Sequence, residues 1–256
     1  MSDAVELRTD RPHSARIYNY LLGGEDNFPA DRAAAEAGLA VNPGARVAAQ
    51  ANREFLRRAV TYLAGSGVDQ FLDVGSGIPA ADSTHLVAPD ATVVYVDYDP
   101  LVVARGRDVP GRVRYARADL REPDRVLARA AETLDLSRPV ALLLVAVTHH
   151  LLDAEDPQAR VARLVDALPS GSYLALSQLT SDLAPDKWAA LEQDFARRGV
   201  VLRPRPGPEI ARFFEGLELV EPGLTLVHRW RPDAHDHQSD RPDALVSVLG
   251  AVARKP

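Results

Sequence analysis

The chain has 256 residues and a formal net charge of −6; 46% of its residues are hydrophobic and 26% are charged. These values are ordinary for one soluble α/β domain with an added segment, or for two small domains. The absence of cysteine excludes disulfides, thiolate nucleophiles and zinc–cysteine sites, and the acidic balance lacks the basic footprint of duplex nucleic acid binding.

The N-terminus predicts neither secretion nor membrane insertion. Residues 1–11 are polar and mixed in charge, without the basic and then apolar run of a signal peptide. The longest apolar run, residues 140–147, is far shorter than the ~20 residues that a membrane helix needs. We therefore expect a cytoplasmic protein with no membrane or nucleic acid partner.

The first sixty-odd residues are predicted to be helical, with breaks at glycine and proline. Apolar spacing predicts helices over residues 12–22 and 31–39. Asn42 is a candidate N-cap and Pro43 a candidate first residue of a long helix that runs to about residue 64. Residues 1–66 would thus form a helical cap, and residues 67–256 a second, larger domain.

From residue 67 onward, short apolar runs alternate with helical patterns. Strands are predicted at residues 71–74, 92–96, 113–116, 140–147 and 172–177. Helices are predicted between them at residues 100–106, 123–134 and 156–168. This alternation implies a parallel sheet with helices on both faces, and the continuous apolar run at 140–147 is typical of a strand buried on both faces.

The C-terminal part interrupts this alternation. Helices are predicted at residues 185–198 and 208–215, followed by strands at 224–230 and 245–253 with only a polar loop between them. Without an intervening helix, these two strands are expected to be antiparallel. The pattern predicts an α/β fold with a Rossmann-like, doubly wound, seven-stranded sheet that ends in an antiparallel hairpin, as in Rossmann-like methyltransferases.

A glycine turn directly follows the first predicted strand. Gly75, Ser76 and Gly77 form this turn, where glycine lets the backbone bend sharply and approach a ligand. Asp97 closes the second predicted strand, where a carboxylate can accept hydrogen bonds from both hydroxyls of a ribose. Together the turn and the acid indicate a ligand that contains adenosine.

Two features favour S-adenosylmethionine over a nicotinamide dinucleotide. Asp73 precedes the first glycine by two residues, where methyltransferases commonly carry an acid that holds the loop and the methionine ammonium. Pro79 stands where a dinucleotide site would offer helix amides to a pyrophosphate, and proline has no amide hydrogen. Residues 75–80 also fit the loose dinucleotide fingerprint, so a nicotinamide-dependent oxidoreductase remains an alternative.

Four further residues complete the predicted cofactor site on the core domain. Tyr98 can stack on adenine or pack on the sheet edge, and the sequence does not decide between these. Asp119 follows the third strand and can accept a hydrogen bond from the adenine amino group, with Leu120 covering the ring; a helix cap is the alternative. Ala146 lies at the end of the fourth predicted strand, beside the same crevice.

A long N-terminal motif carries a resemblance to a known family. Residues 12–28 read PHSARIYNYLLGGEDNF, and residues 51–60, 139–147, 229–232 and 250–256 agree with the same pattern. Over nearly its whole length the chain resembles the S-adenosylmethionine-dependent methyltransferase family long known as domain of unknown function 574. The resemblance implies a Rossmann-like fold and S-adenosylmethionine as the cofactor, and it implies little about the methyl acceptor.

The same motif is a candidate lid over the cofactor. Its polar and aromatic residues surround a glycine pair and would supply a hinge, hydrogen-bonding groups and an aromatic plug against water. The predicted cofactor contacts here are Tyr18, Gly23, Gly24, Asp26, Asn27 and Phe28. The alternative is a helix end with Asx turns packed on the sheet. Arg16 and Arg53 are candidates to pair with a carboxylate, either that of the cofactor or that of Asp26, and exposed salt bridges are the commoner alternative.

His149 and His150 follow the fourth strand and are the candidate catalytic residues. Methyl transfer from a sulfonium is an in-line displacement that needs alignment, and it needs a base only where the nucleophile must lose a proton. Histidine titrates near neutral pH, so either side chain suits a hydroxyl or amine acceptor, with His149 slightly favoured. The alternative is that one of them caps the next loop.

The acceptor is expected to be a small molecule, methylated on oxygen or nitrogen. No metal site is predicted, because His235-Asp236-His237 lies in a polar loop without a spaced partner. The sequence leaves monomer and homodimer open. Residues 77–92 and 101–112 look short for the family, which motivates a further alternative, a non-catalytic S-adenosylmethionine-binding sensor or partner protein.

Overall fold

The computed structural model describes residues 7–236 and 241–256. Its strands are β1 (Gln70–Val74), β2 (Thr92–Asp97), β3 (Val113–Arg117), β4 (Ala141–Val145), β5 (Tyr173–Leu179), β6 (Glu218–Leu219), β7 (Thr225–Leu226) and β8 (Val248–Arg254). Its helices are α1 (Ser14–Leu21), α2 (Pro29–Val41), α3 (Ala45–Gly65), α4 (Thr84–Val87), α5 (Pro100–Gly106), α6 (Pro123–Ala131), α7 (Pro157–Asp166), α8 (Pro185–Arg197), α9 (Gly207–Ala211) and α10 (Asp243–Val246).

Five parallel strands form the centre of a single sheet, in the order β3-β2-β1-β4-β5. The chain moves outward from β1 to β3 and then returns to place β4 on the other side of β1. The carboxyl ends of β1 and β4 therefore flank the point where the strand order reverses, which is where doubly wound sheets bind ligands. The predicted Rossmann-like α/β fold is confirmed, although the sheet of the described residues has eight strands and not the predicted seven.

The antiparallel edge of the sheet is built differently from the predicted hairpin. Strand β8 pairs with β5, and the two-residue strands β6 and β7 both pair with the other side of β8. The predicted strand at 224–230 shortens to Thr225–Leu226, because Arg58 binds the carbonyls of Val227 (2.6 Å) and Trp230 (2.8 Å). Those two carbonyls therefore do not pair with a neighbouring strand.

Strand β4 is buried on both faces, as its continuous apolar sequence predicts. Leu142 and Leu144 belong to one apolar cluster, whereas Ala141 and Leu143 belong to the cluster on the opposite face. All four residues are fully buried. The alternation of side chains along a strand explains this division.

The N-terminal helical segment is present, but one boundary differs from the prediction. Asn42 ends α2, where its amide donates to the Gly38 carbonyl, and α3 begins at Ala45 without a side-chain cap. The predicted N-cap role of Asn42 and the predicted start at Pro43 are therefore wrong. The division of the chain at residue 66 stays a prediction. No helix in the described part of the chain is long and apolar enough to span a bilayer.

Helix α1 is held on the sheet by a buried ion pair. The guanidinium of Arg16 donates from Nε to Oδ2 of Asp99 (2.8 Å) and from a terminal nitrogen to Oδ1 (2.9 Å). Asp99 also accepts from the amide of Leu101 and so caps α5. Both side chains of the pair are buried. Water therefore does not hydrate either charge, and each charge is stabilised mainly by the other.

Arg16→Met is expected to lower the free energy of unfolding by about 3–5 kcal/mol, because it leaves the Asp99 carboxylate buried without its main partner. Urea denaturation at neutral pH measures the loss. Arg138→Met is the matched control, since it removes an ion pair with Asp69 in which both side chains are 55% exposed, and such pairs contribute at most about 1 kcal/mol. Equal losses in the two variants would contradict the role given to Arg16.

Candidate functional site

A cleft of about 840 Å³, partly open to solvent, lies at the carboxyl ends of β1 to β4. We call it the carboxyl-end cleft. The predicted residues that line it are Tyr18, Arg53, Asp73, Gly75, Ser76, Gly77, Asp97, Tyr98, Asp119, Leu120, Ala146 and His150. The fold therefore brings together residues from both predicted domains at the point where the strand order reverses.

The glycine turn after β1 leaves space at the floor of this cleft. Gly75 and Gly77 have φ of +72° and +67°, values that the Cβ atom of other residues disfavours. A Cβ atom on Gly75 would lie 2.2 Å from Cγ2 of Val147, whereas nothing lies within 4 Å of the corresponding position on Gly77. The hydroxyl of Ser76 is buried and has no hydrogen-bond partner among the described residues, which fits a loop that bonds to a ligand.

Asp97 is buried at the end of β2 and organises the turn. One carboxylate oxygen accepts from the amide of Gly77 (3.0 Å) and the other from the amide of Asp99 (2.9 Å). Each oxygen keeps a second lone pair for a ligand. Burial raises the pKa of Asp97 to about 6, so the group is mainly ionised at neutral pH.

Asp73 holds helix α4 rather than the glycine loop. Its Oδ2 accepts from the Thr84 hydroxyl (2.9 Å), and burial raises the pKa of Asp73 to about 6. The contact with the glycine loop that was predicted for Asp73 is made instead by Asp97, which accepts from the amide of Gly77. Arg53 also faces the cleft but forms a two-bond ion pair with Asp82, at 2.9 and 2.5 Å.

The far end of the carboxyl-end cleft contains the residues predicted to meet adenine. Asp119 accepts from the amide of Arg121 (2.8 Å) and pairs with its guanidinium (3.3 Å). Leu120 is buried beside it. Tyr98 is 43% exposed, and its ring centroid lies 4.4 Å from that of His13. Asp119 thus closes a local turn with Arg121 and remains in the cleft lining; it does not cap α6, whose N-cap position is Glu122.

Five of the predicted lid residues lie outside the lining of the carboxyl-end cleft. Between α1 and α2, the Asn27 side-chain amide donates to Asn19 Oδ1 (3.0 Å) and to the Gly24 carbonyl (2.8 Å). A Cβ atom on Gly24 would lie 2.2 Å from the Asn19 side chain, which would have to shift. These bonds are local and close the turn on itself, away from the lining of the cleft; the cofactor contacts of Gly23, Gly24 and Asn27 stay a prediction.

The other two members of this group pack on the sheet domain. Phe28 joins an apolar cluster formed with α5, and its ring lies under the guanidinium of Arg16. Asp26 forms an ion pair with Arg105 of α5. The predicted pairing of Asp26 with Arg16 or Arg53 is therefore wrong, since those two arginines bind Asp99 and Asp82. Phe28 and Asp26 attach the α1–α2 turn to α5 and do not contact the cleft.

A second cavity, the apolar chamber, adjoins the cleft and has about 850 Å³, partly open to solvent. Five residues line both cavities: Ser14, Tyr18, Asn52, Ala146 and His150. We call this shared wall the seam. The remaining walls come mainly from α1, α2, α3 and α8, including Ile17, Leu21, Ala35, Leu39, Ala48, Trp188, Leu191 and Phe195.

A chain of hydrogen bonds fixes the seam. The amide of Ala146 donates to Ser177 Oγ (2.9 Å), the Ser177 hydroxyl donates to Asn52 Oδ1 (2.5 Å), and the Asn52 amide donates to Tyr18 Oη (3.0 Å). Tyr18 then donates to the Ala49 carbonyl (3.1 Å). Ala146 has φ of +57°, a conformation that costs a non-glycine residue about 1–3 kcal/mol and clusters at ligand sites.

Asn52 and Ser177 are site residues that the sequence analysis missed. Asn52 interrupts the buried face of α3 between Ala48 and Phe55, and it is itself 2% exposed. A buried amide requires hydrogen-bond partners, so a polar residue on an otherwise apolar helix face was the available signal. Ser177 gave no such signal, because small polar residues are common in strands.

The two candidate histidines stand in a 3₁₀ turn after β4. His150 lies in the seam, and its Nδ1 is 2.7 Å from the Val201 carbonyl, which places the proton on Nδ1 and leaves Nε2 as the acceptor. His149 lines only the apolar chamber, and its buried Nδ1 has no partner in the described structure. Burial lowers the pKa of both histidines, that of His149 well below its usual value, so both are neutral at pH 7.

Metal ligation finds no support in the described ranges. Across residues 7–236 and 241–256, no three or more histidine or carboxylate side chains are grouped as a metal site. In the loop with His235, the Asp236 carboxylate binds Arg57 and Arg58, and His237 lies outside the described residues.

The geometry after β1 also weighs against a dinucleotide. Helix α4 starts only at Thr84, behind Ser83, so no helix N-terminus directly follows the glycine turn. A dinucleotide-binding fold places its pyrophosphate on such a helix. This argues against the nicotinamide alternative.

The chain is similar to a family model and to two solved structures over nearly its whole length. A family model described as S-adenosyl methyltransferase matches residues 2–256. A protein of the domain of unknown function 574 family from Streptomyces avermitilis is 43% identical, with a TM-score of 0.92 over 98% of this chain and 100% of that one. A Thermobifida fusca protein described as a candidate methyltransferase is 37% identical, with a TM-score of 0.89 over 97% of each chain.

A more distant structure shares the fold alone. Magnesium protoporphyrin IX methyltransferase from Synechocystis, solved with bound S-adenosylhomocysteine, is 14% identical, with a TM-score of 0.57 over 94% of this chain and 93% of that one. The search of curated proteins finds no match.

Gly75→Ala is expected to lower the free energy of unfolding by about 1–3 kcal/mol more than Gly77→Ala, because only the first added Cβ meets the Val147 side chain. Both alanines would adopt a positive φ, at about 1–2 kcal/mol each, so the difference isolates the contact. Urea denaturation of the two variants measures it. Equal destabilisation would show that Val147 can move aside freely.

Proposed function

Since the chain belongs to the S-adenosyl methyltransferase family, we propose that it methylates a hydroxyl oxygen or an amine nitrogen of a small molecule held in the apolar chamber. The seam carries this proposal. A polar, acid-lined cleft and an apolar chamber meet at Tyr18, Asn52 and Ala146, so a donor in one cavity and an acceptor in the other can be brought into line. Alignment of this kind provides much of the catalysis of a displacement reaction.

S-adenosylmethionine is the cofactor, and the carboxyl-end cleft has suitable groups for each of its parts. The free lone pairs of Asp97 suit the ribose hydroxyls, and Asp119 with Leu120 suits adenine. The unpartnered hydroxyl of Ser76 and the open space at Gly77 suit the methionine portion. When bound, the cofactor would supply a methyl group on a sulfonium to the acceptor's lone pair, and S-adenosylhomocysteine would be the second product.

His150 is the residue best placed to remove the acceptor's proton. It borders both cavities, and its Nδ1 bond to Val201 leaves Nε2 as a neutral acceptor. His149 borders the chamber alone, which reverses the order that the sequence analysis favoured. In the overall step, oxygen or nitrogen gains a methyl group and its proton passes to Nε2, so that charge and atoms balance.

One observation on the helices beside the cofactor cleft favours the non-catalytic alternative. Helix α4 has four residues and α5 has seven, which agrees with the short segments seen in the sequence.

To separate the two functions, we propose to incubate the protein with S-adenosylmethionine and a pool of hydroxylated and aminated metabolites. Formation of S-adenosylhomocysteine with a product heavier by one methyl group would support the enzyme; tight cofactor binding without turnover would support the sensor.

Asp97→Asn is expected to weaken S-adenosylmethionine binding by about 1–3 kcal/mol through loss of a charged acceptor. Because the pKa of Asp97 is raised to about 6, affinity in the unaltered protein should fall as pH drops from 7.5 to 5 and the carboxylate gains a proton. Isothermal titration calorimetry across this range measures both effects. An Asp97→Asn protein with unchanged affinity and an unchanged pH profile would rule out the ribose contact.

His150→Ala is expected to lower kcat by about 10²–10⁴-fold, the usual contribution of a positioned base, in any reaction found by the metabolite assay. Single-turnover kinetics at saturating cofactor and acceptor measure the loss. His235→Ala, in an exposed loop, is the control and should retain full activity. A His150→Ala protein within threefold of normal kcat would show that no base is needed there.

A further inference from the structure

The apolar chamber contains no charged side chain in its lining. Its walls are formed by residues of α1, α2, α3 and α8 together with Leu179, Leu202 and Val248, and the described lining includes no Asp, Glu, Lys or Arg. Lys187 lies next to this lining, where its ammonium donates to Asn42 Oδ1 (3.2 Å). A charged group moved from water into such a chamber would lose its hydration without gaining a counterion.

The polar groups that do line the chamber are neutral. His149 and His150 both have a lowered pKa because of burial, and the side chains of Tyr18 and Asn52 are engaged in the seam. The environment is therefore uncharged near pH 7. Four of its polar side chains, those of Ser14, Tyr18, Asn52 and His150, lie in the seam, so a ligand's reactive polar group can find partners at that end.

Aromatic rings form part of the chamber's lining. Trp188 and Phe195 of α8 line it together with Tyr18 and the two histidines. Phe195 packs closely on α2, where a Cβ atom on Gly38 would lie 3.1 Å from its ring. Aromatic rings associate with one another in offset or edge-to-face geometry, with a gain beyond simple area burial.

Two buried polar atoms on lining side chains lack partners. The indole Nε1 of Trp188 and the Nδ1 of His149 have no hydrogen-bond partner within the described ranges, and the two residues are 4% and 7% exposed. Buried polar groups are normally paired. A ligand with a neutral oxygen or nitrogen could meet this unused bonding capacity.

We propose that the chamber selects an uncharged, mainly apolar acceptor with an aromatic ring system, whose hydroxyl or amine reaches the seam while its rings lie among the aromatic side chains of the chamber. The proposal rests on the proposed function for the identity of the ligand as the methyl acceptor. The chamber is partly open to solvent, and its volume of about 850 Å³ includes that open space. The chamber excludes phosphorylated and carboxylated acceptors, except where the charged group stays in solvent.

A matched pair of fluorescent probes tests the charge selectivity. N-phenyl-1-naphthylamine and 8-anilino-1-naphthalenesulfonate share their rings and differ by one sulfonate. We expect the uncharged probe to bind the whole chain, with S-adenosylhomocysteine present, at least tenfold more tightly than the sulfonate. Equal affinity, or tighter binding of the sulfonate, would overturn the inference.

Substitution locates the probe, and a competition assay tests the requirement for aromatic rings. Ala45→Phe adds a ring inside the chamber from a half-buried position and should weaken N-phenyl-1-naphthylamine binding at least tenfold. Ala40→Phe, on the exposed side of α2, should change it less than twofold.

2-Naphthol should displace the probe at a concentration several times lower than its saturated counterpart decahydro-2-naphthol. Equal effects of the two substitutions, or equal displacement, would overturn the inference.

Failure of this inference and failure of the proposed function give different results. Ala45 does not line the carboxyl-end cleft, so S-adenosylhomocysteine affinity should be unchanged in Ala45→Phe. Probe binding in the chamber without any methyl transfer would leave the chamber's selectivity standing and contradict the function. Methyl transfer by a protein that does not bind the uncharged probe would contradict the selectivity alone.

Discussion

The buried ion pair between Arg16 and Asp99 joins the N-terminal helices to the sheet. The two side chains are 83 residues apart in the chain, and neither is exposed enough for water to replace its partner. Helix α1 contributes Ser14 and Tyr18 to both cavities, so the pair also fixes the position of a shared wall. Because Asp99 caps α5 and its amide binds Asp97, the same contact reaches the acid that organises the glycine turn.

The cleft and the chamber differ in polarity because different kinds of backbone surround them. Parallel strands end together at one edge of a sheet, and this edge gives the cleft the acids Asp73, Asp97 and Asp119. The chamber lies mostly between helices, which turn their apolar faces inward. The seam separates the two environments through one hydrogen-bonded chain from Ala146 to Tyr18, and a reaction between a charged donor and a neutral acceptor is suited to such a boundary.

Local sequence patterns predicted the parts of the site that depend on strand order. The five parallel strands, the glycine turn and Asp97 follow from hydrophobic runs, turn residues and the rule that parallel strands end at one edge. The α1–α2 turn was not predictable in the same way. A glycine pair with Asn, Asp and Phe has the composition of a lid, but the contacts of Asp26 and Phe28 with α5 depend on where a distant helix packs.

The sequence by itself determined the fold class, the strand at which each cofactor-side acid stands, and the family to which the chain is similar, because periodicity and motif spacing are local properties. Only the tertiary structure decided that Asn52 and Ser177 link α1 to β4, that His150 borders both cavities, and that Arg16 binds Asp99. These contacts join residues far apart in the chain, and their geometry is set by how helices pack on the sheet. The apolar chamber belongs to this second group, since no single segment contains it.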